Sequence, residues 1–271
     1  HLIIQIMKVL FSILLVFAFL IFASEKLFGQ KRYSTFEINV PQLKTTKKIW
    51  VYLPLDYEKS TKKYPVIYMH DAQNLFDAKT SYAGEWKVDE TSDSLKVNAI
   101  IVGIEHGNDK RMEELTPFKN EKYGGGKADL YLDFIAFTLK PHIDSTYRTK
   151  SKAKNTIVFG SSLGGLVSFY AVLKYPEVFG KAGVFSPSFW FSNEIYDYAK
   201  KAKKSKAKIY FLCGDSESED MVSDMERMTK IMAENRCECL HLTKQVVVKD
   251  GRHNEKMWSE QFGKAVLWLL K

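Results

Sequence analysis

The residues Gly160-Ser161-Ser162-Leu163-Gly164 place a serine between glycines. They follow the apolar run Thr156-Ile157-Val158-Phe159 and open a helix-like run that stops before Pro176. Strand, sharp turn and helix, with G-x-S-x-G at the turn, is the context in which this motif does chemistry. The turn strains the backbone of its central residue and pushes Ser162 out at the tip of a strand. The amides of Ser162 and Leu163 then lie at a helix N-terminus, where unpaired N–H groups and the helix dipole favour an anion. A serine held there is placed to attack a carbonyl. The alternatives are an ordinary glycine-rich turn or a phosphate cradle. The G-K-[ST] ending of the common phosphate loop is absent.

A serine hydroxyl needs a base at neutral pH. Downstream of the leader the histidines are His70, His106, His142, His241 and His253. His253 lies in Lys249-Asp250-Gly251-Arg252-His253-Asn254, after an apolar run and before the last helix-like segment. The base of an α/β-hydrolase arrives there, because the chain order is serine, acid, histidine. His241 precedes the last strand-like run, on the wrong side of a parallel sheet, and His142 sits inside a helical stretch. The acid should follow the preceding strand, where Asp215, Glu217, Glu219 and Asp220 crowd one loop. Its task is to hold the histidine tautomer and stabilise the imidazolium. Any of the four serves that role equally well on spacing alone, and Asp220 reads also as a helix N-cap. A second oxyanion donor is expected from the loop His70-Asp71-Ala72-Gln73-Asn74, through the amide of Ala72 or Gln73.

These residues need a sheet to hold them. Strand-like runs recur at Phe36–Val40, Lys48–Leu53, Val66–His70, Ala99–Ile104, Thr156–Phe159, Gly183–Ser186, Ile209–Cys213 and Gln245–Lys249. Helix-like segments cover Lys127–Tyr147, punctuated by Pro141, then Leu163–Tyr175, Asn193–Lys204, Asp220–Asn235 and Asn254–Leu270. The alternation predicts an α/β fold: a mostly parallel central sheet of about eight strands, flanked by helices. No helix separates the first two strands, so the sheet starts antiparallel. Sites in such sheets form outside the carboxyl ends of the strands.

A chain of 271 residues with 45% hydrophobic content supports a sizeable core. Met7-Lys8 followed by the apolar run Val9 to Ala23 reads as a secretory signal peptide. The run is shorter than the roughly 20 residues of a membrane span. Residues 1–29 are therefore expected to be a signal peptide with a non-native leader, and residues 30–271 a single α/β-hydrolase domain in a secreted or periplasmic protein. The net charge of +8 implies a basic surface. No zinc-finger spacing or nucleic-acid aromatic motif accompanies the lysines, so no nucleic-acid partner is expected. Cys213, Cys237 and Cys239 are an odd number, which argues against a disulfide framework. Cys213 reads as a small buried hydrophobe, and Cys237 with Cys239 are too few for a metal site.

The chain resembles the esterase D-type serine esterases, an α/β-hydrolase branch that includes enterochelin, feruloyl and acetylxylan esterases and mycolyltransferases. The matching stretches are Val66–Asp71, Gly84–Asp89, Tyr147–Thr149, Gly160–Gly165, Tyr175–Phe179 and Arg252–Glu255. The resemblance runs from about Phe36 to Lys271 and implies Ser162 as nucleophile and His253 as base. It places the acid at Glu217, three residues after Gly214, with Asp215 second, and favours Gln73 over Ala72 as partner to Leu163 in the oxyanion hole. Relatives border their cleft with the segment holding Phe189 and Trp190, and Trp86 is a third candidate for substrate binding. The expected activity is carboxylic-ester hydrolysis through an acyl-enzyme, on a small-molecule or carbohydrate-linked ester, with no metal or cofactor. Acyl transfer to a sugar and a non-catalytic binding role are the rivals.

Overall fold

The computed structural model describes residues 32–202, 205–234 and 242–271. The expected signal peptide, Cys237, Cys239 and His241 lie outside them.

Eight strands form one sheet in the order β1-β2-β4-β3-β7-β8-β9-β10. These are β1 (Tyr33–Val40), β2 (Thr45–Tyr52), β3 (Val66–His70), β4 (Ile100–Ile104), β7 (Thr156–Ser161), β8 (Lys181–Phe185), β9 (Lys208–Gly214) and β10 (Thr243–Val248). β1 pairs antiparallel with β2, and β2 antiparallel with β4. From β4 onward every neighbouring pair is parallel. All eight strands expected from the sequence are present, with ends shifted by up to three residues. The two residues of β5 (Lys119–Asn120) and β6 (Gly124–Gly125) pair separately as a small ribbon.

The inner strands are apolar on both sides because both faces are covered. On one face Tyr68, Val102, Val158, Val184 and Phe211 pack beneath α3 (Ala128–Phe134), α4 (Lys140–Thr146), α5 (Leu163–Lys174), α6 (Glu194–Lys201) and α7 (Met221–Glu234). On the other, Ile67, Met69, Ile101, Phe159 and Phe185 meet α1 (Val88–Ser94) and α8 (Glu255–Leu270). Cys213 is fully buried, as expected of a small hydrophobe. Burial pushes its thiol up to about 12, so it stays protonated and unreactive.

Two departures from the sequence reading have clear causes. The segment expected as one helix over Lys127–Tyr147 is α3, one π turn at Ile135–Leu139, then α4. Pro141 offers no N–H and its ring would strike a carbonyl one turn back; a widened turn relieves both problems. The helices α1 and α2 (Arg111–Leu115) were not anticipated. At seven and five residues they are too short for apolar periodicity to register.

Some of the basic charge is used internally. Lys181 and Lys208 donate Nζ–H to the carbonyls of Leu269 and Trp268, at the C-terminus of α8. Those carbonyls lack helical partners and carry the negative end of the dipole. Burial holds the Lys181 ammonium down to about 8.

The connections run from β3 to β4 on one side and from β7 to β8 on the other. The reversal falls between the adjacent strands β3 and β7, and open α/β sheets bind their ligands outside the carboxyl ends of the strands at such a point. Those ends carry Asp71 and Ser162.

Candidate active site

Ser162 joins β7 to α5 with φ 58° and ψ −121°. A residue with a Cβ rarely adopts these angles, so the surrounding packing must impose them. Its N–H donates to the Phe185 carbonyl at 2.9 Å, and its carbonyl accepts from the Ser188 amide at 3.1 Å. The strand and helix fold back on each other at very short range. A methyl group on Gly160 would stand 2.8 Å from the Gly164 carbonyl carbon, and one on Gly165 would stand 2.5 Å from the Phe185 oxygen. The expected result for Gly165→Ala is therefore a net loss of about 1–3 kcal/mol, despite the better helix propensity of alanine. Thermal unfolding measures it, at about 2–4 °C per kcal/mol for a domain of this size. The clash falls on the same carbonyl that holds the Ser162 amide, so esterase activity should fall with stability.

His253 Nδ1 lies 2.7 Å from Glu217 Oε2. A carboxylate only accepts, so Nδ1 carries the proton and Nε2 keeps a lone pair for a base's work. The Glu217 side chain is 1% exposed. Its other oxygen, Oε1, accepts from the Gly214 amide at 2.5 Å and the Ser186 hydroxyl at 2.7 Å. Ser186 in turn accepts from Trp258 Nε1 at 2.8 Å, and the Trp258 ring meets the His253 ring edge-on at 4.9 Å. Ser186 and Trp258 thus fix both the acid and the imidazole. The spacing of the motifs held no signal for either, because their roles depend on three separate loops meeting.

Asp215 is elsewhere. Its Oδ1 accepts from the Asp250 amide at 2.7 Å and the Ser216 hydroxyl at 3.1 Å. It ties the loop after β9 to the loop that carries His253, and Glu217 takes the position on the imidazole. Asp215 as second choice for the histidine's partner is accordingly corrected.

Ser162 and His253 share one rim of the sheet, linked through neighbouring strand ends. β7 pairs with β8 at Ser161 and Phe185, β8 with β9 at Phe185 and Leu212, and β9 with β10 at Gly214 and Val248. Among the described residues no hydrogen bond joins the two side chains. The Ser162 hydroxyl lies 3.3 Å from Ser188 Oγ instead. A free enzyme often leaves this bond open until substrate arrives.

Leu163 is the first residue of α5, so its amide has no partner within the helix. The loop after β3 makes a short 3-10 turn, Ala72–Asn74, in which Asn74 N–H bonds Asp71 O and Leu75 N–H bonds Ala72 O. The amides of Ala72 and Gln73 donate to no other group among the described residues. The Gln73 side chain is committed to the backbone of His106, donating to its oxygen and accepting from its nitrogen, each at 3.2 Å. His70 is not a rival base. It is buried beneath the serine turn, and desolvation holds its imidazole down to about 4. Its Nδ1 pairs with the Tyr131 hydroxyl at 2.8 Å.

The three aromatic candidates separate. Trp86 is buried in the core, stacked on Phe185 and tilted against Trp258, and Phe189 is fully buried against Phe169 and Tyr196. Neither has surface to offer a ligand, which corrects their assignment to substrate binding. Both sit in apolar-rich segments where a core residue and a cleft residue look alike. Trp190 is 56% exposed and meets Tyr123 edge-on.

Comparison with known proteins identifies the family. The model of the family described as "Putative esterase" matches residues 41–269. The chain is 27% identical over 241 residues to "Uncharacterized protein YbbA" of Bacillus subtilis, across 82% of this chain and 92% of that one. It is 30% identical over 172 residues to the "Siderophore triacetylfusarinine C esterase" of Aspergillus fumigatus, across 59% of this chain and 58% of the relative. The crystal structure of the enterobactin esterase FES from Shigella flexneri with enterobactin superposes with a TM-score of 0.72 at 19% identity, over 88% of this chain and 58% of that one. The chain thus spans a little under three fifths of the two named esterases, and the last likeness is one of fold. With the α/β fold in place and the family model matched from residue 41 to residue 269, the chain belongs to this esterase family and is a carboxylic-ester hydrolase.

Proposed function

We propose that the protein is a secreted or periplasmic serine esterase that works through an acyl-enzyme on Ser162. The observation that carries this reading is the Glu217–His253 pair, held at the same sheet rim as the strained serine turn. Ser162 Oγ attacks the ester carbonyl as its proton passes to His253 Nε2. Glu217 stabilises the imidazolium without taking the proton. The oxyanion is met by the Leu163 amide and by that of Gln73 or Ala72, each such donor contributing about 3–4 kcal/mol to the transition state. His253 then returns the proton to the leaving alcohol, and water hydrolyses the acyl-enzyme by the same steps in reverse. Approach of substrate draws the Ser162 hydroxyl from Ser188 toward the imidazole. The run from Val9 to Ala23 supports export.

A substrate class is supported by the relatives and by one surface feature. The Aspergillus relative is a siderophore esterase, and Trp190, two residues after Ser188, meets Tyr123 edge-on, the two exposed rings offering an aromatic face. Esters with an aryl acyl group suit that face. A fluorophosphonate probe followed by peptide mass spectrometry tests the reading. The expected adduct is on Ser162; a folded sample that takes no label there would overturn it.

A further inference from the structure

We propose that Arg111 is a positioning residue for the oxyanion loop, acting through Asp71, an inference that rests on the serine-esterase reading above. Asp71 follows β3 in the left-handed conformation, φ 58° and ψ 48°. Residues with a Cβ avoid this region, and aspartate tolerates it better than most. The bend it makes is what turns Ala72–Asn74 into a short helical turn and leaves the Ala72 and Gln73 amides unpaired. The Asp71 carboxylate is held from one side by a two-pronged contact. Arg111 Nε lies 2.7 Å from Oδ1 and Nη2 lies 2.8 Å from Oδ2. Such a planar fork fixes direction as well as distance. On the other side the carboxylate rests against the start of α5: a methyl group on Gly164 would stand 3.4 Å from Oδ2.

This position has an electrostatic consequence. The oxyanion forms beside the first turn of α5, and a bare carboxylate there would repel it. His70 and His106 also face Asp71, but burial holds both imidazoles below their usual range. Burial pushes the Asp71 carboxyl up, and Arg111, through its charge and its hydrogen bonds, more than offsets this and supplies the compensating charge that holds it below the usual carboxylate range. The side chain of Glu255 faces Arg111 more remotely. Arg111 therefore does two things to the loop: it stabilises the bend at Asp71 and cancels the charge that the bend brings in. Neither requires it to touch substrate.

The test is a double-mutant cycle on the full chain with nitrophenyl acetate as substrate and phenylboronic acid as a mimic of the tetrahedral state. Arg111→Met is expected to lower kcat by about tenfold or more while KM stays within about threefold. The inhibition constant of the boronic acid should rise by about the same factor as kcat falls. Asp71→Asn added to Arg111→Met should recover much of the lost kcat, because asparagine keeps the left-handed bend and carries no charge. A role confined to folding would move the melting temperature and leave that rescue absent. If Arg111→Met does not fold, Arg111→Lys, which keeps the charge and loses the fork, is read with the same measurements and an intermediate loss is expected. The inference is overturned if kcat stays within about threefold of wild type, if KM rises with kcat unchanged, or if the asparagine gives no recovery. An active wild type with an indifferent Arg111→Met defeats this inference alone. A wild type that neither hydrolyses ester nor takes the probe defeats the esterase mechanism and this inference with it.

Discussion

Ser162→Ala is expected to lower kcat on short-chain nitrophenyl esters by about 10⁶-fold, the size seen when the nucleophile of a serine hydrolase is removed. The fold should be indifferent. Alanine keeps the same Cβ, so the backbone at φ 58° is no more strained than before. Among the described residues, the one hydrogen bond lost from the side chain is the long one to Ser188, at 3.3 Å. The two readouts therefore separate cleanly, with activity gone and the melting temperature within a few degrees. A residual rate of about 10³–10⁴ over water is expected, because the oxyanion donors and substrate binding remain. Initial-rate kinetics and thermal unfolding on the same preparations decide the matter. Hydrolysis retained within tenfold would remove Ser162 from the mechanism.

Glu217→Gln is the second large effect, at about 10⁴-fold in kcat. The reason lies in which oxygen does what. Oε1 accepts two hydrogen bonds, from the Gly214 amide and the Ser186 hydroxyl. A glutamine must put its carbonyl oxygen there, since its NH₂ would face a backbone donor. The NH₂ then points at His253 Nδ1 and donates to it. The imidazole is forced into the tautomer with its proton on Nε2, where it can no longer accept from serine. Asp215→Asn should behave oppositely. The amide oxygen can still accept from Asp250 N–H, so the loop keeps its tie and kcat should change by less than about tenfold. Steady-state kinetics of the two variants side by side discriminates the roles. A larger loss for Asp215→Asn than for Glu217→Gln would transfer the acid's role to Asp215.

Much of this architecture is legible in the amino-acid sequence. The apolar runs that became β3, β7 and β9 announce themselves because strands buried on both faces carry few polar positions, and those at their ends, to dilute the pattern. The serine turn is legible because its glycines answer a local steric demand: Gly160 and Gly165 lie where any Cβ would meet backbone. His253 is legible because parallel topology sends every strand's carboxyl end to one rim, so position after the last strand implies position at the site. Trp86 and Phe189 went astray for a related reason. An aromatic next to a functional motif has the same sequence signature whether it faces a ligand or the core, and the difference is which way one side chain turns.

The sequence by itself determined the order of strands and helices, the serine turn and the histidine, since each follows from local periodicity, local sterics or the direction of a parallel sheet. Spacing alone left four neighbouring carboxylates open and the family resemblance favoured Glu217; the tertiary structure shows Glu217 on His253. Asp215 and Glu217 are two residues apart on one loop, and their roles are separated by hydrogen bonds from Gly214, Ser186 and Asp250, the last two from distant parts of the chain. The Asp71–Arg111 pair is of the same kind, joining the loop after β3 to α2 across 40 residues of chain. Such contacts carry no periodic signature, because they depend on where separate loops converge in space rather than on what neighbours what along the chain.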